Sequence, residues 1–178
     1  MDELTLVNKC IEGDPLAQRK LFDMYAPKML GVCLRYTNSV EQAEDVLQDG
    51  FVKVFTKLSL YKGNGSLEGW VRRIMVNTSL DHIRKNAKFH QNVSVDDVSY
   101  KMESDAHILS SLMEEDLLKL VREMPDGYRT VFNMFAIEGY SHKEIAKKLD
   151  ITENTSKSQY SRAKAYLRTK VEALNIGR

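Results

Sequence analysis

The chain has 178 residues, 43% of them hydrophobic and 29% charged, enough for packed cores in one ordinary domain or two small ones. Lys plus Arg (26) nearly cancels Asp plus Glu (25), so the net charge of +1 argues for neither a nucleic-acid nor a membrane partner, and any such case must come from local distribution. No apolar run approaches the roughly 20 residues that span a bilayer, and MDELTLVNK lacks the basic-then-apolar order of a signal peptide, so no membrane insertion and a cytoplasmic location are expected.

Helical periodicity begins with Leu4, Val7 and Ile11, followed by Asp14 as an N-cap with Pro15 in the first turn. Leu16, Leu21, Tyr25, Leu30, Cys33 and Leu34 extend a second pattern, which Pro27 is expected to kink or break. Cys10 and Cys33 have no CxxC spacing and sit among apolar neighbours, which reads as buried free thiols. Ser39 and Gln42 have capping-box spacing, and the helix they open places Val40, Ala43, Leu47, Phe51, Val54, Phe55 and Leu58 on a core face. The loop YKGNGS stops it, and LEGWVRRIMVNTSLDHIRKN restarts a helix with Leu67, Trp70, Val71, Ile74 and Leu80 inward.

From residue 86 to about 110 the pattern dissolves into a polar stretch, with one basic against four acidic residues over 91–110, which reads as a linker. Met113, Leu117, Leu118, Val121 and Met124 mark a helix ended by Pro125, and Val131, Phe132, Met134, Phe135 and Ile137 another ended at Gly139. The expected fold is all-α: two small helical domains, residues 1–87 and 111–178, joined by a flexible linker over 88–110.

Residues 143–178 carry nine basic against four acidic side chains, the main local excess of charge. Ser141 and Glu144 form a capping box for a short helix with Ile145, Ala146 and Leu149 inward; Asp150, Ile151 and Thr152 break it, and Thr152 is a fresh N-cap. In the next helix Ser156, Tyr160, Ala163 and Leu167 share one side, while Lys157, Ser158, Ser161, Arg162, Lys164 and Arg168 occupy the other. Two short helices around a tight turn, the second presenting small polar and basic side chains, are what a helix-turn-helix needs to enter a major groove. Lysine and arginine neutralise phosphates and fork onto guanine, and serines allow close approach. A solvated amphipathic helix is the plainer alternative.

REMPDGYRTVFNMFAIEGYSHKEIAKKLDITENTSKSQYSRAKAYLR closely resembles the promoter-binding C-terminal domain of bacterial sigma factors of the extracytoplasmic-function group. AEDVLQDGFVKVF (residues 43–55) resembles the segment by which that family's other domain holds RNA polymerase, and GWVRRIMVNTSLDHIRK (69–85) its downstream-element helix. The resemblance implies a larger domain that clamps the polymerase and opens the −10 element, a smaller one that reads the −35 element, core polymerase and promoter DNA as partners, an anti-sigma factor as a further one, and no cofactor. Asp45, Gln48, Asp49 and Val52 fall at i, i+3, i+4 and i+7, a mixed polar stripe suited to a helix-on-helix interface, and the matching Asp and Gln of the family dock on a coiled coil of the largest β-type polymerase subunit. Arg73, Asn77 and Arg84 follow one face, and with Lys62, Asn64 and Ser66 of the glycine-bearing loop they match the family's site for melted promoter DNA, where an unstacked base is held by short polar contacts. Asp81 is expected to bond a neighbouring arginine and Trp70 to serve as core.

The −35 candidates by the same resemblance are Thr155, Lys157, Ser158, Gln159, Ser161, Arg162 and Lys164. Three positions depart from the family pattern: Ser156 replaces an aliphatic residue, Gln159 a basic one, with an expected change in the base read, and Met124 a leucine. Catalysis finds no support, since His82, His90, His107 and His142 lack metal-ligand spacing and no Ser/His/Asp set or phosphate-cradling loop is present. The rivals are a helix-turn-helix regulator that binds DNA without joining polymerase, which would show an αβ receiver ahead of the linker, and a helical module that binds protein only.

Overall fold

The computed structural model describes residues 2–85 and 114–176, and every regular element among them is helical. The chain divides between Lys85 and Asn86 into two compact units. The 88–110 linker and Met113, His90 and His107 lie outside the described residues.

In the first unit, α1 (Glu3–Ile11) starts where the Asp2 carboxylate accepts from the Thr5 N–H, and α2 (Pro15–Leu34) where Asp14 accepts from Leu16 and Ala17. α2 passes through Pro27 without a break. Proline removes the donor to the Asp23 carbonyl, but Asp23 and Pro27 are both exposed, on the solvent side of the helix, and packing of the opposite face holds the helix together. α3 (Val40–Lys57) is capped by Ser39, whose hydroxyl accepts from the Gln42 N–H, while the Gln42 amide oxygen reaches back to the Asn38 N–H. A 3₁₀ turn (Leu58–Leu60) and the loop over 61–66 lead to α4 (Leu67–Lys85).

α2, α3 and α4 pack on one another, with α1 laid on α2. Their shared core includes Leu21, Met29, Cys33, Phe51, Val54, Leu58, Leu67, Val71 and Leu80, all buried. Each large aliphatic side chain so removed from water contributes roughly 1.5–3 kcal/mol. Trp70 and Ile74, read from the sequence as inward, are half-buried.

The second unit contains α5 (Glu114–Glu123), α6 (Asp126–Phe132), a π turn (Asn133–Ile137), α7 (His142–Leu149) and α8 (Glu153–Ile176). α8 is its spine: α5, α6 and α7 each pack against it. Leu120, Val121, Met124, Phe132, Ala163, Leu167 and Val171 form the core, so Met124 fills a leucine-sized place with little change of volume. Arg129 is also buried; its guanidinium donates to the Arg122 carbonyl (3.0 Å) and to Asp126 (2.7 Å), closing α6 onto the end of α5.

Candidate functional site

Three surfaces gather the residues singled out above. On α3, Asp45, Gln48, Asp49 and Val52 are all exposed, while Val46, Leu47, Gly50 and Phe51 of the same turns are buried. Val52 is an isolated apolar side chain, 66% exposed, at the end of a polar stripe. The opposite face of α3 is clamped by α2 and α4, so the stripe is presented on a rigid rod.

Lys62, Asn64 and Ser66 are exposed in the 61–66 loop, where Gly63 and Gly65 take positive φ (72° and 95°) that would strain any other residue. The Tyr61 hydroxyl donates to the Gly65 carbonyl (2.7 Å) and Ser66 Oγ accepts from the Gly69 N–H (3.1 Å), which ties both ends of the loop. Tyr61 and Trp70 meet with ring centroids 5.7 Å apart, so the half-buried indole props the loop. Along α4, Arg73 and Arg84 are exposed and Asn77 half-buried. Asp81 accepts from Arg84 and from Lys53 of α3, each at 3.1 Å, which gives it the structural part expected and holds the Arg84 guanidinium in place.

In the second unit α7 begins with a complete capping box: the Ser141 N–H donates to Glu144 Oε2 (2.8 Å) and the Glu144 N–H to Ser141 Oγ (3.3 Å). Asp150 ends it in the left-handed region (φ 55°, ψ 48°), with the Ile151 N–H returning to the Ala146 carbonyl. Thr152 Oγ1 accepts from the Thr155 N–H (3.0 Å) and starts α8, so the turn spans 150–152. Lys157 and Ser158 are exposed and Thr155, Ser161, Arg162 and Lys164 half-buried. Lys157 pairs with Glu153 one turn earlier (2.9 Å), and the Lys164 ammonium lies 5.2 Å over the Tyr160 ring, a placement that keeps its charge near the helix surface.

Gln159 corrects the sequence reading. It is 5% exposed and faces α6, where Gly127 leaves a slot: a β-carbon there would stand 3.1 Å from Gln159 Oε1. Spacings of three from Ser156 and four to Ala163 place it on the inward stripe. The sequence reading also missed a contact. His142, weighed there only as a metal ligand, has Nδ1 2.9 Å from the hydroxyl of the fully buried Ser156 and its ring stacked on Phe135. No local signal joins residues 14 apart across a turn. Burial, then the nearby Lys157 charge, holds the imidazole below its ordinary pKa, with Glu153 opposing.

Among the described residues no cluster of His, Cys, Asp or Glu is arranged to hold a metal, and no helix is long and apolar enough to cross a membrane. The sequence model of sigma-70 region 2 matches residues 21–89 and that of sigma-70 region 4 matches residues 114–167. The chain is 24% identical over 185 residues to the ECF RNA polymerase sigma-E factor of Haemophilus influenzae, covering 98% of this chain and 97% of the relative. It is 28% identical over 181 residues to the ECF RNA polymerase sigma factor SigW of Bacillus subtilis, covering 92% and 93%. Its fold is shared with the sigma factor RpoE of Bartonella quintana, solved in complex with the anti-sigma factor NepR, at a TM-score of 0.51 and 21% identity over 90% of this chain and 98% of that one.

Two region matches in family order, one on each helical unit, place the chain in the sigma-70 family of RNA polymerase sigma factors, and its relatives place it in the extracytoplasmic-function group. It directs promoter-specific transcription initiation as a subunit of RNA polymerase. A DNA-binding regulator that never joins polymerase is not favoured, because region 2 occupies the part where a receiver would stand.

Proposed function

We propose that this chain divides its work among its surfaces as follows. The stripe of Asp45, Gln48, Asp49 and Val52 docks on core polymerase. Lys62, Asn64, Ser66, Arg73, Asn77 and Arg84 hold melted −10 DNA, and Thr155, Lys157, Ser158, Ser161, Arg162 and Lys164 read the −35 duplex. The domains run over 1–87 and 111–178, with 88–110 as tether. The observation that carries the −35 part is the doubly capped α7–α8 pair: its turn spans three residues and the α8 N-terminal turns expose Lys157 and Ser158, so charge and small side chains meet the groove together. The −10 part is supported by a propped glycine loop beside a helix face with two exposed arginines, the mixture of short polar groups and charge that suits unstacked single strands.

Each unit makes few DNA contacts, so neither alone selects a promoter; joined on one polymerase, the second contact becomes intramolecular and gains a high effective concentration. The chain itself carries no catalysis, since bond formation belongs to the polymerase, and it works in the cytoplasm on chromosomal DNA. The relative solved with NepR supports an anti-sigma factor as a partner here too. The test is to add the protein to core polymerase and sequence the transcripts made from its host's genomic DNA. A limited set of start sites sharing two upstream elements is expected; transcripts identical to those of core alone would overturn the assignment.

A further inference from the structure

His142, the first residue of α7, is gripped from two elements at once. Its ring lies flat on Phe135 of the π turn, with centroids 4.3 Å and planes 14° apart, and Nδ1 reaches Ser156 Oγ of α8 at 2.9 Å. Tyr160, one turn beyond Ser156, closes on the same Phe135 ring at 4.6 Å, so the π turn, α7 and α8 converge on one node. Ile145 and Leu149 of α7 are buried as well, apolar side chains without polar atoms to align. Apolar packing is non-directional and tolerates small slides and rotations, whereas a hydrogen bond fails outside a narrow range of distance and angle.

Ser156 is the fourth residue of α8, flanked by Thr155 and Lys157, with Ser158 next along the helix. Whatever fixes the azimuth of residue 156 fixes theirs. Resting on the reading of α8 as the recognition helix, we propose that the His142–Ser156 hydrogen bond is the positioning contact that sets the depth and rotation at which α8 is presented to the −35 element. His142 and Ser156 are then positioning residues for promoter choice, although neither belongs to the groove-facing set. A buried serine in a helical core, otherwise a poor exchange for an apolar side chain, gains a function from this arrangement.

The test uses holoenzyme, full chain plus core polymerase, bound to a promoter fragment identified from its transcripts and to the same fragment with the −35 element scrambled. The discrimination ratio falls about fivefold in Ser156→Ala and in His142→Phe, which keeps the stacked ring but loses Nδ1, since one hydrogen bond is at stake. His142→Asn, whose side-chain amide reaches the same hydroxyl without the ring, stays within about twofold of wild type, and the double variant Ser156→Ala/His142→Phe is no worse than either single. An unchanged ratio in Ser156→Ala, equal losses in the Asn and Phe variants, or additive losses in the double would overturn the proposal. If Ser156→Ala loses its helical signal, the Phe and Asn variants decide alone. Wild-type holoenzyme that binds both fragments equally removes the assignment of α8 itself, and the proposal with it.

Discussion

The Met75 thioether occupies the space that a side chain at Gly50 would take, and this is where α3 and α4 cross: a β-carbon at Gly50 would overlap the Met75 sulfur and stand 2.9 Å from its terminal methyl. Met75 is fully buried, so it cannot swing out to water. Gly50→Ala should therefore destabilise the first unit by about 1–2 kcal/mol, overpacking outweighing the roughly 0.5–1 kcal/mol that alanine gains in a helix. Urea unfolding of the full chain measures it; a more stable variant would mean that Met75 repacks freely.

Asp45→Ala with Gln48→Ala should weaken binding to core polymerase several-fold and leave helical content unchanged, because both side chains are exposed and hold no part of the core. Titrated pull-down and circular dichroism on the same samples check both halves. Undiminished affinity would move the docking surface elsewhere.

The buried Gln159 and the exposed Lys157 should separate cleanly in DNA binding. Gln159→Met is expected to leave the preferred −35 sequence unchanged in a randomised-site selection, whereas Lys157→Ala should lower the dependence of log affinity on log salt by about one unit if that lysine meets phosphate. A new base preference in the Gln159 variant would return that residue to the groove.

Arg129 gives the second unit its most exposed weakness. With Asp126→Asn the guanidinium, 2% exposed, keeps its place and its bond to the Arg122 carbonyl but loses its ion-pair partner, and a cost of about 1–3 kcal/mol is expected, below that of a fully buried pair because Asp126 is 34% exposed. Arg129→Met, which removes the charge as well, should cost less. The comparison of the two melting curves checks the order; equal losses would mean that shape, and not charge, sets the cost.

Acidification should act through His142. Its folded-state pKa lies below the ordinary 6.5, so the unfolded chain binds the proton more readily and stability falls as pH drops below that value. Burial is the largest cause of the shift; the charged groups facing the ring are Lys157, which adds to it, and Glu153, which opposes it, both of α8, with the Tyr160 ring alongside and Phe135 contributing no charge. Between about pH 7.5 and 5.5 wild type should lose more stability than His142→Asn. Parallel losses in urea titrations would remove His142 from the account.

Most of the α3 face was legible because a side-chain cap and a 3.6-residue apolar repeat are local signals, and Phe51 is buried where that repeat puts it; Val40, assigned to the same face, is exposed, since it stands in the first turn. The capping box of α7 was legible for the same reason. Pro27 does not break α2, because the rule against proline in a helix concerns the backbone alone and ignores which side faces water. Gln159 entered the −35 set through the family resemblance, though its spacing from Ser156 and Ala163 already pointed inward; the slot that receives it exists only once Gly127 of α6 is beside it. The His142–Ser156 contact likewise depends on two helices being placed, and no periodicity encodes it.

Cys10 and Cys33 are the chain's two cysteines, and both are buried in the first unit. Burial raises the Cys10 pKa and pushes that of Cys33 up to about 11, so neither thiol offers reactive thiolate while the helices are closed. Alkylating reagents consequently meet a silent protein until that unit opens, and the second unit has no sulfhydryl to confuse the signal. The rate of labelling is a clock for one half of the molecule inside the intact chain, readable without any engineered probe and under the same conditions when the chain is free, seated on polymerase or sequestered by another protein.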